Sequence, residues 1–180
     1  GEVFLGAEHV VMNGEYRETI AGYAVDFIPD VTGDGVSEIA IGGPGFGGGK
    51  FYVYDPVEAL SGISTEPAVL SLEGEGGEAG DAVADAGDLD GDGLGDVLIT
   101  ASRYSGAGAT YVFLGDNLST LSTSSDLGDA DLRVVNGTKS ISSLGDLNGD
   151  GLAEIGIGND GHHILAHASA GTGYLAIFSG

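Results

Sequence analysis

The sequence contains no cysteine and no tryptophan, and only five of its 180 residues are lysine or arginine. Without cysteine, neither a disulfide framework nor a thiolate metal site can form. Acidic residues number 28, and the formal net charge is −23. Because phosphate groups are bound by clustered basic side chains, this composition argues against nucleic acid and anionic membrane surfaces as partners. No apolar run approaches the roughly 20 residues that span a bilayer, and we expect no membrane insertion.

Glycine, in contrast, is abundant, with 35 residues. So much glycine predicts many tight turns. The apolar residues are mostly valine, isoleucine, leucine and phenylalanine in short runs, which favours strands over helices. The segment 56–60 is long enough for one helical turn at most. The composition therefore predicts an all-β fold.

An acidic segment of nine residues occurs three times, at 30–38, 88–96 and 146–154, with a constant spacing of 58 residues. A short apolar run follows each copy, and then come a glycine-rich loop, an aromatic run and, after two of the copies, a further apolar run. The predicted strands after the acidic segments are 39–42, 51–54 and 68–72; 97–100, 111–114 and 131–135; and 155–158 and 174–178. With the small apolar stretch before each copy, this makes about four short strands per repeat, as in a β-propeller blade.

Each acidic segment places side-chain oxygens at its positions 1, 3, 5 and 9, with glycine at positions 4 and 6. Alternate positions in a tight loop can direct several oxygens at one centre, and Ca²⁺ takes six to eight oxygen ligands. We therefore predict three calcium sites, in which Val36, Leu94 and Leu152 contribute backbone carbonyls. The predicted ligands are Asp30, Thr32, Asp34, Val36 and Glu38; Asp88, Asp90, Asp92, Leu94 and Asp96; and Asp146, Asn148, Asp150, Leu152 and Glu154.

These segments have two other interpretations. The EF-hand loop requires glutamate at its twelfth position, but that position is occupied by Ile41, Ile99 and Ile157 in the three copies. Asp/Gly-rich segments are also common as ordinary polar turns. Three copies at a fixed spacing, each with oxygens at the same four positions, favour a calcium loop that leads into a strand.

These segments and their flanks resemble the FG-GAP repeat of the integrin α-chain β-propeller. Ala21–Tyr23 and Ala79–Asp81 stand at the first element of the family pattern, and Gly42–Pro44 stands at its last element. The third copy lacks both flanking signatures. The resemblance implies calcium sites on the underside of a propeller, in the loop between two inner strands of each blade. It also implies a non-enzymatic role in adhesion or assembly, outside the cell or at its surface.

Three blades cannot close a ring, because propellers usually have four to eight. We predict one propeller segment over 1–180, with an outer strand at 1–6 and blades at about 7–60, 61–115 and 116–180. Segment 1–6 resembles 110–115, and the chain therefore carries a surplus strand. Either the chain is a piece of a longer propeller, or its copies associate into a larger array.

Candidate catalytic features are few. The dense carboxylate pairs fall inside the predicted calcium loops, and the sequence has no nucleophile elbow, phosphate-binding loop or zinc-protease helix. We therefore predict that the chain is not an enzyme. A transition-metal site at His162, His163 and His167 is less favoured than a solvated loop. A rim that binds sugar or protein is a further possibility, with the candidates Tyr16, Arg17, Tyr23, Arg103 and Tyr104.

The sequence thus predicts a calcium-binding structural or adhesion module of an extracellular or cell-surface protein. Its expected partner is another protein or further copies of itself. The alternative is a carbohydrate-binding, lectin-like module that accompanies an enzyme and binds glycan.

Overall fold

A computed structural model describes residues 20–45, 47–58, 68–122, 125–135, 140–159 and 173–179. The described residues form three antiparallel sheets, in which strands that follow one another in sequence pair side by side. The first sheet contains β1 (Ala24–Ile28), β2 (Glu38–Gly43), β3 (Lys50–Tyr54) and β4 (Leu70–Glu73). The second contains β5 (Ala79–Gly87), β6 (Asp96–Ala101), β7 (Ala109–Phe113) and β8 (Leu132–Val135). The third contains β9 (Ser140–Gly145), β10 (Glu154–Asn159) and β11 (Tyr174–Ser179).

Among the described residues, the helical segments are single turns. They are α1 (Pro56–Glu58), α2 (Gly115–Leu118) and two 3-10 turns at Tyr104–Gly106 and Leu127–Asp129. Within the described part of the chain, no helix has the length and apolar character needed to cross a bilayer. The predicted all-β propeller-type fold with an incomplete ring is confirmed, since each sheet is a meander and the described sheets do not close on one another.

The division of the chain into blades stays a prediction. Hydrogen bonding groups the strands as 24–73, 79–135 and 140–179, with β4 beside β3 and β8 beside β7. The predicted boundaries near residues 60 and 115 instead fall between the third and fourth strands of a hydrogen-bonded sheet. They divide the same repeat at a different place. The predicted outer strand at 1–6 lies outside the described residues.

The sheets stack face to face. In the second strand of a sheet, alternate residues point to opposite faces and can pack on the sheets to either side. Ala40 of β2 belongs to the apolar cluster that the first sheet shares with the second, whereas Ile41 lies on the opposite face. In β6, Ile99 faces the first sheet and Leu98 faces the third. The cluster between the first two sheets includes Phe51, Val53, Leu72, Ile99, Tyr111 and Phe113, all fully buried. Burying one such side chain contributes about 1.5–3 kcal/mol, so this stacking is the main source of apolar stabilisation.

The backbones of the first two sheets approach closely where Gly42 of β2 meets Gly80 of β5. A Cβ atom on Gly42 would lie 2.0 Å from the carbonyl oxygen of Gly80, which is too short for any real contact. Gly80 itself has a φ of 90°, a conformation that side chains disfavour. The joint between the two sheets therefore requires glycine at both positions.

We expect Gly42→Ala to destabilise the protein by about 1–3 kcal/mol, because the added methyl group forces the two backbones apart. The measurement is the midpoint of urea unfolding followed by circular dichroism. Gly156→Ala in β10 is the matched control, since its nearest neighbour would be the flexible side chain of Leu144, 3.3 Å away. Equal midpoints for the two variants would show that the close approach is unimportant.

Candidate metal centres

The three acidic segments occupy equivalent places in the fold. Each connects the first strand of a sheet to the second, at the β1–β2, β5–β6 and β9–β10 connections. All three have the same pair of left-handed glycines at positions 4 and 6. The φ values are 82° and 89° at Gly33 and Gly35, 80° and 88° at Gly91 and Gly93, and 82° and 96° at Gly149 and Gly151. The repeated sequence therefore folds into a repeated backbone conformation, which we call the first, second and third acidic loops.

The first acid of each loop organises the turn by accepting hydrogen bonds from the backbone. In the first loop, the Asp30 carboxylate accepts bonds from the amides of Gly33 and Gly35, both at 2.6 Å. The hydrogen bond from Gly35 is the main cause that lowers the pKa of Asp30. Asp88 accepts equivalent bonds from Gly91 at 2.7 Å and Gly93 at 3.1 Å. The third loop repeats this geometry with bonds to Asp146 from the amides of Gly149 and Gly151.

The last acid of each loop is buried. Glu38 and Asp96 are 0% exposed, and Glu154 is 3% exposed. One oxygen of each carboxylate accepts the amide hydrogen of the second loop residue. These bonds are 2.8 Å from Val31 to Glu38, 2.6 Å from Leu89 to Asp96 and 2.6 Å from Leu147 to Glu154. We call these three residues the closing acids, because each ties the start of its loop to the next strand.

The other oxygen of each closing acid has a different partner. Glu38 accepts a bond from the Thr32 hydroxyl at 2.7 Å, and Asp96 accepts one from the Gly115 amide at 2.8 Å. Burial raises the pKa of Glu38, and it raises the pKa of Asp96 to about 6. The neighbouring acids Asp90 and Asp88 add to the rise at Asp96. The protein environment alone thus disfavours the charged forms of these carboxyls.

Among the described residues, the salt bridges lie away from the acidic loops. They join Lys50 to Glu73, Arg103 to Glu78 and Arg133 to Glu75. The closing acids therefore have hydrogen-bond donors but no counter-charge from the described part of the chain. Burying a carboxylate without a counter-charge is costly, and a bound cation would offset that cost.

The first two acidic loops bring carboxylates together closely enough to hold one ion. Oxygens of Asp30, Asp34 and Glu38 lie within 4.8 Å of one another, and so do oxygens of Asp88, Asp90 and Asp96. An all-oxygen set of this kind fits a hard cation such as Ca²⁺. Asp92 is exposed and is not part of the second cluster; its Oδ1 accepts the Leu94 amide at 2.7 Å. The ligand roles of all the predicted residues stay predictions, including those of Asp92, Thr32 and the carbonyls of Val36, Leu94 and Leu152.

The third acidic loop has a different interior. The Nδ2 atom of Asn148 donates to Asp150 Oδ2 at 2.8 Å and to Glu154 Oε1 at 3.0 Å. Ser179 of β11 also donates to Glu154 Oε1, at 3.2 Å. A neutral donor thus lies between two carboxylates that would otherwise repel each other. In this arrangement the amide must turn for Asn148 to offer its oxygen to a metal ion.

Those remaining candidates from the sequence that the structure describes do not form a common site. His162, His163, His167, Tyr16 and Arg17 lie outside the described residues. Tyr23 is exposed on β1. Arg103 pairs with Glu78 at 3.1 Å, so the guanidinium already has a partner.

Tyr104 belongs to a packed cluster that sequence reasoning missed. Its ring lies edge-on to Tyr111, and the guanidinium of Arg133 sits 5.0 Å from its centroid. Arg133 also binds Glu75 at 2.6 Å, and Glu75 accepts a bond from the Tyr111 hydroxyl. Burial, with the Glu75 charge as the next cause, raises the pKa of Tyr111. Glu75 and Arg133 lie far from Tyr104 in the sequence, and no local motif predicts that these residues meet.

Comparison with known proteins matches the same region. The FG-GAP repeat family matches residues 82–113, which run from β5 through the second acidic loop to the end of β7. Integrin alpha-6 of Gallus gallus is 39% identical to this chain over 70 residues, which is 39% of the chain and 6% of the integrin. The match thus covers only a small part of that protein. The predicted resemblance to integrin-like FG-GAP repeats is confirmed.

Replacing Glu38 by glutamine tests whether this buried carboxylate lacks a counter-charge. In chelator, Glu38→Gln should raise the melting temperature by about 2–4 °C, the shift that ~1 kcal/mol produces in a domain of this size. The glutamine oxygen can accept the Val31 amide hydrogen, and the glutamine nitrogen can donate to the Thr32 hydroxyl, so both contacts survive while the buried charge is removed. In millimolar calcium the order should reverse, because only the wild-type carboxylate can bind the ion strongly.

The matched control for this experiment is Glu73→Gln, which changes a glutamate that is 71% exposed and paired with Lys50. Its melting temperature should differ from that of the wild type by the same small amount in both buffers. A Glu38→Gln variant that is less stable than the wild type in both buffers would contradict the argument.

Proposed function

We propose that the chain is a calcium-binding structural module of an extracellular or cell-surface adhesion protein. The main support is the buried closing acid of each loop, which accepts hydrogen bonds but has no counter-charge among the described residues. In the first two loops, further carboxylates converge with it. The FG-GAP match and the likeness to an integrin α-chain support the adhesion-type role and the extracellular location. We propose three sites, one per acidic loop, with the ligands that the sequence predicts.

The acidic loops connect metal binding to the stacking of the sheets. A bound calcium ion would supply positive charge and oxygen coordination at each loop. In the first and second loops, the second residue donates its amide to the closing acid and inserts its side chain into the neighbouring core. Val31, 8% exposed, packs in the cluster between the first and second sheets, and Leu89 packs against the cluster between the second and third. An ordered loop thus holds two sheets together.

The outer face of the third sheet is the proposed surface for further blades or further copies. Leu147, Leu175 and Ile177 are 61%, 66% and 55% exposed there, and we call this set the end face. At the same repeat positions in the first sheet stand Val31, Phe51 and Val53, which are buried against the second sheet. The strand register is the same, since Ile177 pairs with Gly156 as Val53 pairs with Ala40. The end face therefore exposes the positions with which the first sheet binds its neighbour.

We also propose that the chain has no catalytic activity. The repeats it resembles belong to an adhesion-type family, and the carboxylates of its acidic loops are engaged by backbone amides. Carbohydrate binding, the alternative from the sequence, stays a prediction that no feature of the described residues favours. Specific binding on a glycan array would support that alternative over assembly.

Calorimetric titration tests the calcium sites. The wild type should bind three ions with dissociation constants near ~10⁻⁴–10⁻³ M, as extracellular modules do. Asp90→Ala should bind one ion fewer, because Asp90 belongs to the converging set of the second loop. Asp116→Ala is the control, since Asp116 is an exposed acid of α2 outside the acidic loops. Unchanged stoichiometry in Asp90→Ala would reject the assignment of the second loop.

Light scattering in millimolar calcium tests the end face. The wild type should gain mass with concentration, and Leu175→Glu/Ile177→Glu should remain monomeric, because two carboxylates would have to be buried at the contact. Val57→Glu is the control, since Val57 is 55% exposed and lies after β3, away from the end face. A wild type that is monomeric at all concentrations would contradict association between copies.

A further inference from the structure

The second and third acidic loops are joined by a hydrogen bond between their backbones. The amide of Ala153 donates to the carbonyl oxygen of Asp88 at 2.8 Å. Asp88 is the first acid of the second loop, and Ala153 directly precedes Glu154, the closing acid of the third loop. The bond therefore ties a predicted ligand of one site to the neighbour of a predicted ligand of the other.

Side-chain packing reinforces this link. A Cβ atom on Gly91 would lie 2.9 Å from Cδ2 of Leu152, so the leucine side chain rests against the turn that Asp88 organises. A Cβ atom on Gly87, which directly precedes the second loop, would lie 2.7 Å from the Cβ atom of Ala153. Beside them, the Ser143 hydroxyl of β9 donates to the carbonyl of Ala86 at 3.0 Å. Movement of either loop would disturb these contacts.

The first and second acidic loops are connected differently. Gly95 stands at the repeat position of Ala153, and it lies against the ring of Pro29. Within the described residues, Gly95 makes no backbone hydrogen bond to Asp30 that corresponds to the bond between Ala153 and Asp88. Leu94, at the position of Leu152, lies against Gly115 of α2, which belongs to the same repeat as Leu94. The contact between the first two loops is therefore one of packing alone.

We propose that cation binding at the second and third acidic loops is positively coupled, while the first loop binds almost independently. The proposal rests on the calcium sites proposed above. A cation in the second loop fixes Asp88, and the bond to Ala153 then fixes the backbone beside Glu154, so less ordering remains for the third loop. By linkage, an ion in the third loop must strengthen binding at the second by the same factor.

The test follows calcium binding at each loop through the amide resonances of its two turn glycines in two-dimensional NMR. Glu154→Gln, which weakens the third loop, should raise the half-saturating calcium concentration of Gly91 and Gly93 by about 5-fold or more, the low end of typical coupling. Glu38→Gln, the equivalent change in the first loop, should shift the same resonances by less than about 2-fold. Equal shifts in the two variants would overturn the coupling.

A second pair of variants changes the contact and leaves every oxygen ligand in place. Leu152→Ala should weaken binding at the second loop, because it removes the packing on Gly91. Leu94→Ala should leave binding at the first loop unchanged, because Leu94 packs on Gly115 of its own repeat and not on the turn glycines of the first loop. Equal effects on the two neighbouring loops would count against the proposed link.

The wild-type titration is decisive even if a variant does not fold. Gly91, Gly93, Gly149 and Gly151 should follow one common curve that is steeper than the curve of Gly33 and Gly35. Three independent hyperbolic curves would overturn the coupling and leave the calcium sites intact. An absence of any response to calcium would reject the proposed calcium sites themselves.

Discussion

The stacking of the sheets depends on the carboxylates buried at the ends of the first and second acidic loops. Glu38 and Asp96 are fully buried at the first residue of a second strand, where a charge is costly unless it is bonded and balanced. Each accepts the amide of the second loop residue, and that residue carries its side chain into the next core. The carboxylate thus connects three things that the fold needs, namely the shape of the loop, the start of the strand and the contact between sheets.

Glycine makes this arrangement sterically possible. Left-handed glycines let each acidic loop coil around its first acid, and other glycines let neighbouring sheets approach with their backbones nearly in contact, as at Gly42 and Gly80. Tight loops and close sheets bring many acids into a small volume. The same compactness that stabilises the sheets therefore concentrates negative charge. A bound cation would reduce the repulsion between these acids.

The sequence was sufficient to predict the features that depend on local spacing. The 58-residue repeat predicted the acidic loops and the strands that follow them, and the alternation in runs such as Ile39–Gly42 reflects their burial on two faces. Features that depend on distant partners could not be predicted. Nothing near Asp96 indicates that Gly115 donates to it, and nothing near Asp88 indicates the bond from Ala153. Tyr104 was a candidate for a binding rim. In the structure it packs with Tyr111 and Arg133, and the three residues do not belong to one sequence motif.

Hydrogen exchange at the amides of Val31 and Leu89 tests the central claim most directly, because both amides are donated to closing acids in the interior. If calcium offsets the buried charge and holds these loops closed, protection at both amides should rise in calcium relative to chelator by about tenfold or more, equivalent to ~1.4 kcal/mol. Protection that is the same in calcium and in chelator would show that the closing acids need no cation, and the account of how the sheets are held together would be wrong.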